Sequence, residues 1–184
     1  PPLTPGQGRV YLISGGAPLN ASLKKLFIEA LPHVIILDAV GSSETGSQAH
    51  HMSTRDGEVS TGTFRATPSN VVVSEDLTRV LAPGDPEMGW FARIGRVPLG
   101  YLGDAAKTAR TFPVIGGAHC SVPGDRARMR ADGTLELYGR DSVTINSGGE
   151  KIFAEEVEHA IKHHPAVYDA VVVGRASERW GSEV

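Results

Sequence analysis

Asp125 and Arg140 are the two residues whose types and spacing most directly suggest shared chemistry. Between them lie two alternating runs. Arg126, Arg128 and Arg130 interleave with Ala127, Met129 and Ala131, and Leu135 and Leu137 interleave with Thr134 and Glu136. Asp132-Gly133 separates the runs, which predicts a β-hairpin. A hairpin brings Asp125 and Arg140 to its open end, on adjacent strands about 5 Å apart. A carboxylate beside a guanidinium suits a ribose: the acid accepts from both hydroxyls, and the base donates to sugar or phosphate oxygens. The same pair also reads as a plain surface ion pair. Two glycine-bearing stretches add to the inventory, Ser14-Gly15-Gly16-Ala17-Pro18 and Asp38-Ala39-Val40-Gly41-Ser42-Ser43-Glu44-Thr45-Gly46. Small residues let a ligand approach the backbone, and free N–H groups hold anions. Taken alone, both stretches also read as tight turns without a ligand.

The surrounding elements decide where these groups point. Arg9 to Ile13 reads as a strand and Val34 to Leu37 as a buried one. Between them lies a helix that Asn20 caps and Pro32 stops, with Leu23, Leu26, Phe27, Ala30 and Leu31 as its apolar face. A right-handed crossover makes the two strands parallel and sets both glycine stretches at the carboxyl edge, where open α/β sheets bind ligands. From Ser53 the pattern changes to short β pieces at Gly62–Ala66, Asn70–Ser74, Arg79–Leu81 and Trp90–Ile94. With one helix at Asp104–Phe112, they predict a small, mostly antiparallel, barrel-like subdomain hung on the α/β part. Beyond Arg140 come a strand at Val143–Asn146, a Ser147-Gly148-Gly149 turn, and a helix opening with Glu155 and Glu156. Acids there suit the helix dipole, and Phe153, Val157, Ala160 and Ile161 form the expected apolar face. His163-His164-Pro165 ends the helix, and Tyr168–Val173 reads as a further strand. The expected organisation is residues 1–140 as the end of one large domain (1–52 a βαβ unit, 53–140 a β subdomain) and 141–184 as the start of a second.

Composition narrows the function classes. Hydrophobic residues are 40% and charged ones 21% of 184, ordinary for a globular chain. A net charge of −3 offers no electrostatic basis for binding nucleic acid or anionic membrane. A single cysteine, Cys120, precludes an internal disulfide and fits a reducing, cytoplasmic setting. No apolar run approaches the roughly 20 residues of a membrane span, and no signal peptide is visible. The chain opens Pro-Pro without Met and stops at Val184, so both ends are expected to continue in a longer protein. His50-His51 and His163-His164 are adjacent pairs, whose side chains point apart rather than toward one metal. Cys120 reads as a packing residue. Dinucleotide, P-loop and nucleophile-elbow motifs are absent; Thr45 stands where the last would need its second Gly.

The ordered set SGGAPL, AVGSSETG, Gly100-Tyr101, Thr111-Phe112, PGD, GR and GGEK with EEVE resembles the adenylate-forming superfamily. That superfamily holds acyl-CoA synthetases, firefly-type luciferases and adenylation domains. GRDSVTINSGGEKIFAEEVE is most similar to actinobacterial fatty-acyl-CoA ligases, and the likeness covers essentially the whole chain. It implies an α/β fold: the end of the large domain, then the start of the small, mobile α+β domain. It also implies two half-reactions, acyl-adenylate formation from ATP and transfer of the acyl group to coenzyme A.

By the same resemblance, Gly16, Ala17 and Pro18 lie against adenine and the acyl chain, and Asp38, Ala39, Val40, Gly41, Ser42 and Ser43 cover adenine and α-phosphate. Ser43 donates to the phosphate, Glu44 holds Mg2+, Asp125 binds both ribose hydroxyls, and Arg140 binds the ribose as well. Gly148 and Gly149 line the pantetheine channel. Lys151 stands where a basic residue often neighbours the phosphates, although it also reads as a solvated lysine. The hinge falls near Asp141 or Ser142. Val40 replaces an aromatic residue that often stacks on adenine, and Val122-Pro123 replaces hydroxyl residues before the ribose acid. The phosphate loop and the adenylation lysine of such enzymes are absent, so the piece alone is expected to be nearly inactive. The implied substrate is a fatty or steroid-derived carboxylic acid. An aryl- or amino-acid adenylation domain, or a non-catalytic nucleotide-binding or interaction module, are the alternatives.

Overall fold

A computed structural model describes residues 8–16 and 19–184 of the chain. In order, the first half holds β1 (Val10–Gly15), α1 (Ala21–Ala30), β2 (Val34–Ser42), β3 (Gly46–Ser53), β4 (Thr63–Arg65), β5 (Asn70–Val73) and β6 (Gly89–Ile94). There follow α2 (Ala105–Thr111), β7 (Val114–Ile115), β8 (Ala118–Ser121), β9 (Asp125–Met129) and β10 (Thr134–Arg140). A single 3-10 turn, Asp141–Val143, leads to β11 (Thr144–Ser147), β12 (Glu150–Phe153), α3 (Ala154–Lys162), β13 (Arg175–Ser177) and β14 (Gly181–Glu183).

Two sheets organise these elements. The larger runs β1-β2-β3-β4-β10-β9-β6-β8-β7, with β5 paired to β6 as its tenth strand. The smaller runs β12-β11-β14-β13. The β region after Ser53 joins the sheet of the βαβ unit through β4, at the His50↔Arg65 pair. Among the described strands only β1 and β2 pair in parallel, from Val10↔Val34 to Gly15↔Ala39. Their junction is the crossover unit legible in the sequence.

Asn20 caps α1 as its residue type predicts, accepting from the Leu23 N–H at 2.7 Å. The helix buries a different side from the expected one. Lys24 and Ile28 face inward, while Leu26 is 60%, Leu23 39% and Phe27 37% exposed. Only β2 and its surroundings cover α1, through a small core of Ile28, Val34 and Ile36. Of the apolar face that periodicity picks out, Leu31 packs against this core, whereas Leu23, Leu26 and Phe27 stay exposed among the described residues.

β2 continues past Leu37 to Ser42 and doubles back into β3, with Asp38↔His51 and Ala39↔His50 in register. The expected loop from Asp38 is thus strand up to a four-residue turn. Gly41 is required there, because a Cβ would stand 2.2 Å from the Gly46 carbonyl oxygen. β5 and β6 are buried on both faces. Val72 and Phe91 join a core with Ala49, Ala127 and Leu135, and Val73 and Ala92 join a second core with Ile115 and Cys120. Cys120 is fully buried and burial pushes its thiol up, in keeping with a packing role.

The β9–β10 hairpin forms as its spacing predicts. The Gly133 N–H donates to the Arg130 carbonyl at 2.9 Å, and Gly133 sits at φ +79. A bulge between Leu137 and Gly139 leaves Tyr138 unpaired in the ladder. In the smaller sheet, the strand expected at Tyr168–Val173 does not form. Tyr168, Val171 and Val173 are exposed, and no strand among the described residues pairs with the segment. An apolar run becomes a strand only where a ladder partner accepts its backbone. No helix among the described residues is long and apolar enough to cross a membrane.

Candidate functional site

β1, β2, β9 and β10 converge on one cavity of about 290 Å³. The hairpin supplies Asp125 and Arg140, which are direct register partners. The Arg140 Nε donates to the Asp125 Oδ1 at 3.2 Å. Asp125 is only 9% exposed, while the Arg140 side chain is more than half exposed. Burial pushes the Asp125 carboxyl above its ordinary range, and the Arg140 charge offsets part of that rise.

β2 supplies Asp38, Ala39, Val40 and Gly41 to the same cavity, and the turn after β1 supplies Gly16 at φ +83. Ala17 and Pro18 lie outside the described residues. Asp38 is held in place. It forms a buried ion pair with Lys24 of α1, whose ammonium also donates to the Ser60 carbonyl at 2.6 Å. Lys24 sits one turn after the Asn20 cap, so the helix start positions the cation that positions the strand acid.

Ser42, Ser43 and Glu44 are not among the cavity-lining residues. They form the β2–β3 turn immediately beyond it. The Ser42 N–H donates to Thr45 Oγ1 at 3.0 Å, and the Glu44 N–H donates to Ser42 Oγ at 3.2 Å. Arg93 closes the turn from β6, donating to the Thr45 carbonyl at 2.6 Å. Ser43 is exposed. The Tyr101 hydroxyl donates to Glu44 Oε1 at 2.6 Å and holds the carboxyl below its ordinary range. Tyr101 is itself fixed: its N–H donates to Thr108 Oγ1 at 2.9 Å, and Lys107 lies over its ring at 4.0 Å.

Lys151, Gly148, Gly149, Asp141 and Ser142 stand apart from the cavity. Lys151 pairs with Glu75 at 2.8 Å and approaches Asp141 at 4.0 Å. Glu75 also pairs with the buried Arg126 at 2.8 Å. Gly148 and Gly149 make the β11–β12 turn, with Gly148 packed so closely on Trp180 that a Cβ would stand 2.7 Å from its ring. Asp141 and Ser142 occupy the 3-10 turn between the two sheets.

Among the cavity groups that escaped sequence reasoning are Lys24, Phe64 and Glu155. Lys24 reads as an ordinary helix lysine, and Phe64 as part of a short strand. Glu155 reads as a helix-dipole acid. All three line the cavity, and only tertiary packing brings them there. The Tyr101–Glu44 contact, across 57 positions, left no local signal either.

No protein-family model matches the chain. Curated relatives do. A medium-chain acyl-CoA ligase of Mycobacterium avium is 64% identical over 93% of the chain and 31% of its own length. A 3-oxocholest-4-en-26-oate–CoA ligase of Rhodococcus rhodochrous is 44% identical over 94% of the chain and 31% of its own length. Among solved structures, ATP-bound MatB of Rhodopseudomonas palustris is 26% identical, with a TM-score of 0.76 over 92% of this chain and 33% of that one. An anthranilate CoA ligase in complex with anthranoyl-AMP, at 23% identity, shares the fold with a TM-score of 0.72 over 94% of this chain and 32% of its own. The chain spans about a third of the length of the curated relatives it matches. Over that third it is homologous to the actinobacterial acyl-CoA ligases and has the fold of the adenylate-forming CoA ligases.

Proposed function

We propose that the chain is the nucleotide-proximal part of an ATP-dependent acyl-CoA ligase acting in the cytoplasm. Such a ligase activates a fatty or steroid-derived carboxylic acid as its acyl-adenylate and passes it to coenzyme A. The observation that carries the reading is the convergence of Gly16, Asp38–Gly41, Asp125 and Arg140 on one cavity. Its volume lies near the lower end of small-molecule sites, about 300–1,000 Å³.

In this reading Asp125 accepts the ribose hydroxyls, and Arg140 both donates to the ribose and keeps Asp125 ionised. Val40 and the backbone of β2 give adenine an apolar wall, and Asp38, fixed by Lys24, offers an acceptor at its edge. Ser43 donates to the α-phosphate from the exposed turn. The donor set fits Mg2+ as a substrate-bridging ion. Mg2+ is commonly held by one or two carboxylates together with substrate phosphates, and Tyr101 engages only Oε1 of Glu44. Among the described residues no cluster of three or more His, Cys, Asp or Glu side chains forms a cage of its own. Glu44 would hold the ion, which neutralises phosphate charge; Tyr101 and the Ser42–Thr45 turn keep that carboxylate ionised and oriented.

We assign residues 1–140 to the large domain and 141–184 to the mobile one, with the hinge at Asp141 or Ser142. Gly148 and Gly149 then line the pantetheine channel after domain rotation, and Lys151 exchanges its Glu75 partner for phosphate. The test is made on a protein of the relatives' length containing this segment. Pyrophosphate release from ATP is followed with medium-chain, steroid side-chain and aryl acids, with and without coenzyme A. Release with a fatty or steroid acid, and AMP release driven by coenzyme A, is the expected result. Preference for an aryl acid would move the reading to an aryl-acid ligase. No release with any acid would leave a nucleotide-binding module.

A further inference from the structure

Among the described cavity-lining residues, Glu155 alone comes from beyond Arg140. It opens α3, which follows β12 of the smaller sheet, so its carboxylate crosses from one sheet's territory to the other's. The approach is close. A Cβ at Gly139 would stand 2.9 Å from Glu155 Oε2, and Gly139 adopts φ +117 beside the Asp125↔Arg140 pair. That φ favours glycine, and the Glu155 carboxylate comes to β10 on the side a Cβ would occupy.

Glu155 is half-buried, and among the described residues no hydrogen bond holds it. The neighbouring acids at α3 are engaged differently: Glu156 is exposed, and Glu158 accepts from the Val172 N–H at 2.8 Å. Burial, with the Glu158 and Asp125 charges, pushes the Glu155 carboxyl up, and Arg140 offsets this only in part. A half-buried carboxylate without a donor costs stability. A ligand that brings hydroxyl donors would supply what the protein does not. Phosphate would not, since Asp125 and Glu155 border the same space.

We propose that Glu155 is a second carboxylate of the nucleotide site, accepting a ribose hydroxyl alongside Asp125. This rests on the nucleotide reading given above and adds a ligand contact from α3. A bound nucleoside would then touch both sheets at once.

Calorimetric titration of this chain with AMP, and with the dideoxy analogue lacking both ribose hydroxyls, tests the assignment. Wild type is expected to bind AMP more tightly than the analogue. Glu155→Ala should weaken AMP by about tenfold, the scale of a lost hydrogen bond to a charged group, and leave the analogue unchanged. Glu155→Gln, which keeps one acceptor and the side-chain volume, should fall between, and it carries the comparison if the alanine variant unfolds. Equal loss for AMP and the analogue would make Glu155 merely structural and overturn the inference, as would no loss for either. A folded wild type that binds neither nucleotide would overturn the nucleotide reading itself, and this inference with it.

Discussion

Asp125 illustrates a site residue whose burial works against the empty fold. Its carboxyl is raised in the folded chain, chiefly by burial. The unfolded chain therefore ionises first as pH rises, and the group's contribution to stability falls between the unfolded and folded values. Asp125→Asn is expected to leave the thermal midpoint at pH 7 equal to or above wild type, while AMP affinity drops at least about tenfold. Scanning calorimetry paired with titration checks both halves. Glu44 runs the other way. Tyr101, Ser42 and the Lys107 charge lower its folded value, so its stabilisation is present above the ordinary glutamate range and lost as pH falls through the folded value. Tyr101→Phe should move the Glu44 carboxyl carbon titration upward and cost about 1 kcal/mol near neutrality, vanishing in acid. At this scale the sequence was informative where chemistry is local. The Asp125–Arg140 pairing follows from one hairpin. The contacts of Tyr101 and Glu155 were silent, because a hydroxyl 57 positions from its acceptor and a helix acid reaching across to another sheet leave no pattern in spacing.

Among the elements, α1 shows what periodicity can and cannot tell. The Asn20 cap and the stop before Pro32 were legible, because both act on the adjoining backbone. Which side is buried depends on what covers the helix, and the covered side holds Lys24 and Ile28. Asn20→Ala should cost about 1 kcal/mol. Lys24→Met should cost more, about 3–5 kcal/mol, since it strands the buried Asp38 charge. The double change Lys24→Met with Asp38→Leu should recover most of that loss, as urea midpoints of the four proteins would show. β3 was missed for a related reason: Gln48 and Ala49 are both buried while the adjacent histidines break any alternation. The reverse error at Tyr168–Val173 came from a sound apolar run without a partner.

For the whole molecule, Glu75 is one tie between the two sheets. It accepts from Lys151 of β12 and from Arg126 of β9, and both lower its carboxyl. Arg126 is buried and stacks 4.1 Å from the Trp90 ring, so this end is fixed; the Lys151 end is exposed. Lys151→Ala should change global stability by less than about 1 kcal/mol. It should still raise amide exchange in β11 and β12 relative to β9 and β10, a difference hydrogen-exchange mass spectrometry resolves. The composition gave the chain's class, yet no stretch announced that loops of one sheet would carry the anchor of the other.

Among the described residues β1 lies at an end of the large sheet, with Tyr11 60% and Ile13 75% exposed on the face away from the α1 core. An unpaired strand edge flanked by apolar side chains is a template for another copy's backbone. Handled alone at high concentration, the chain should be colloidally unstable, with light scattering that grows with protein and recedes when Ile13 is replaced by lysine.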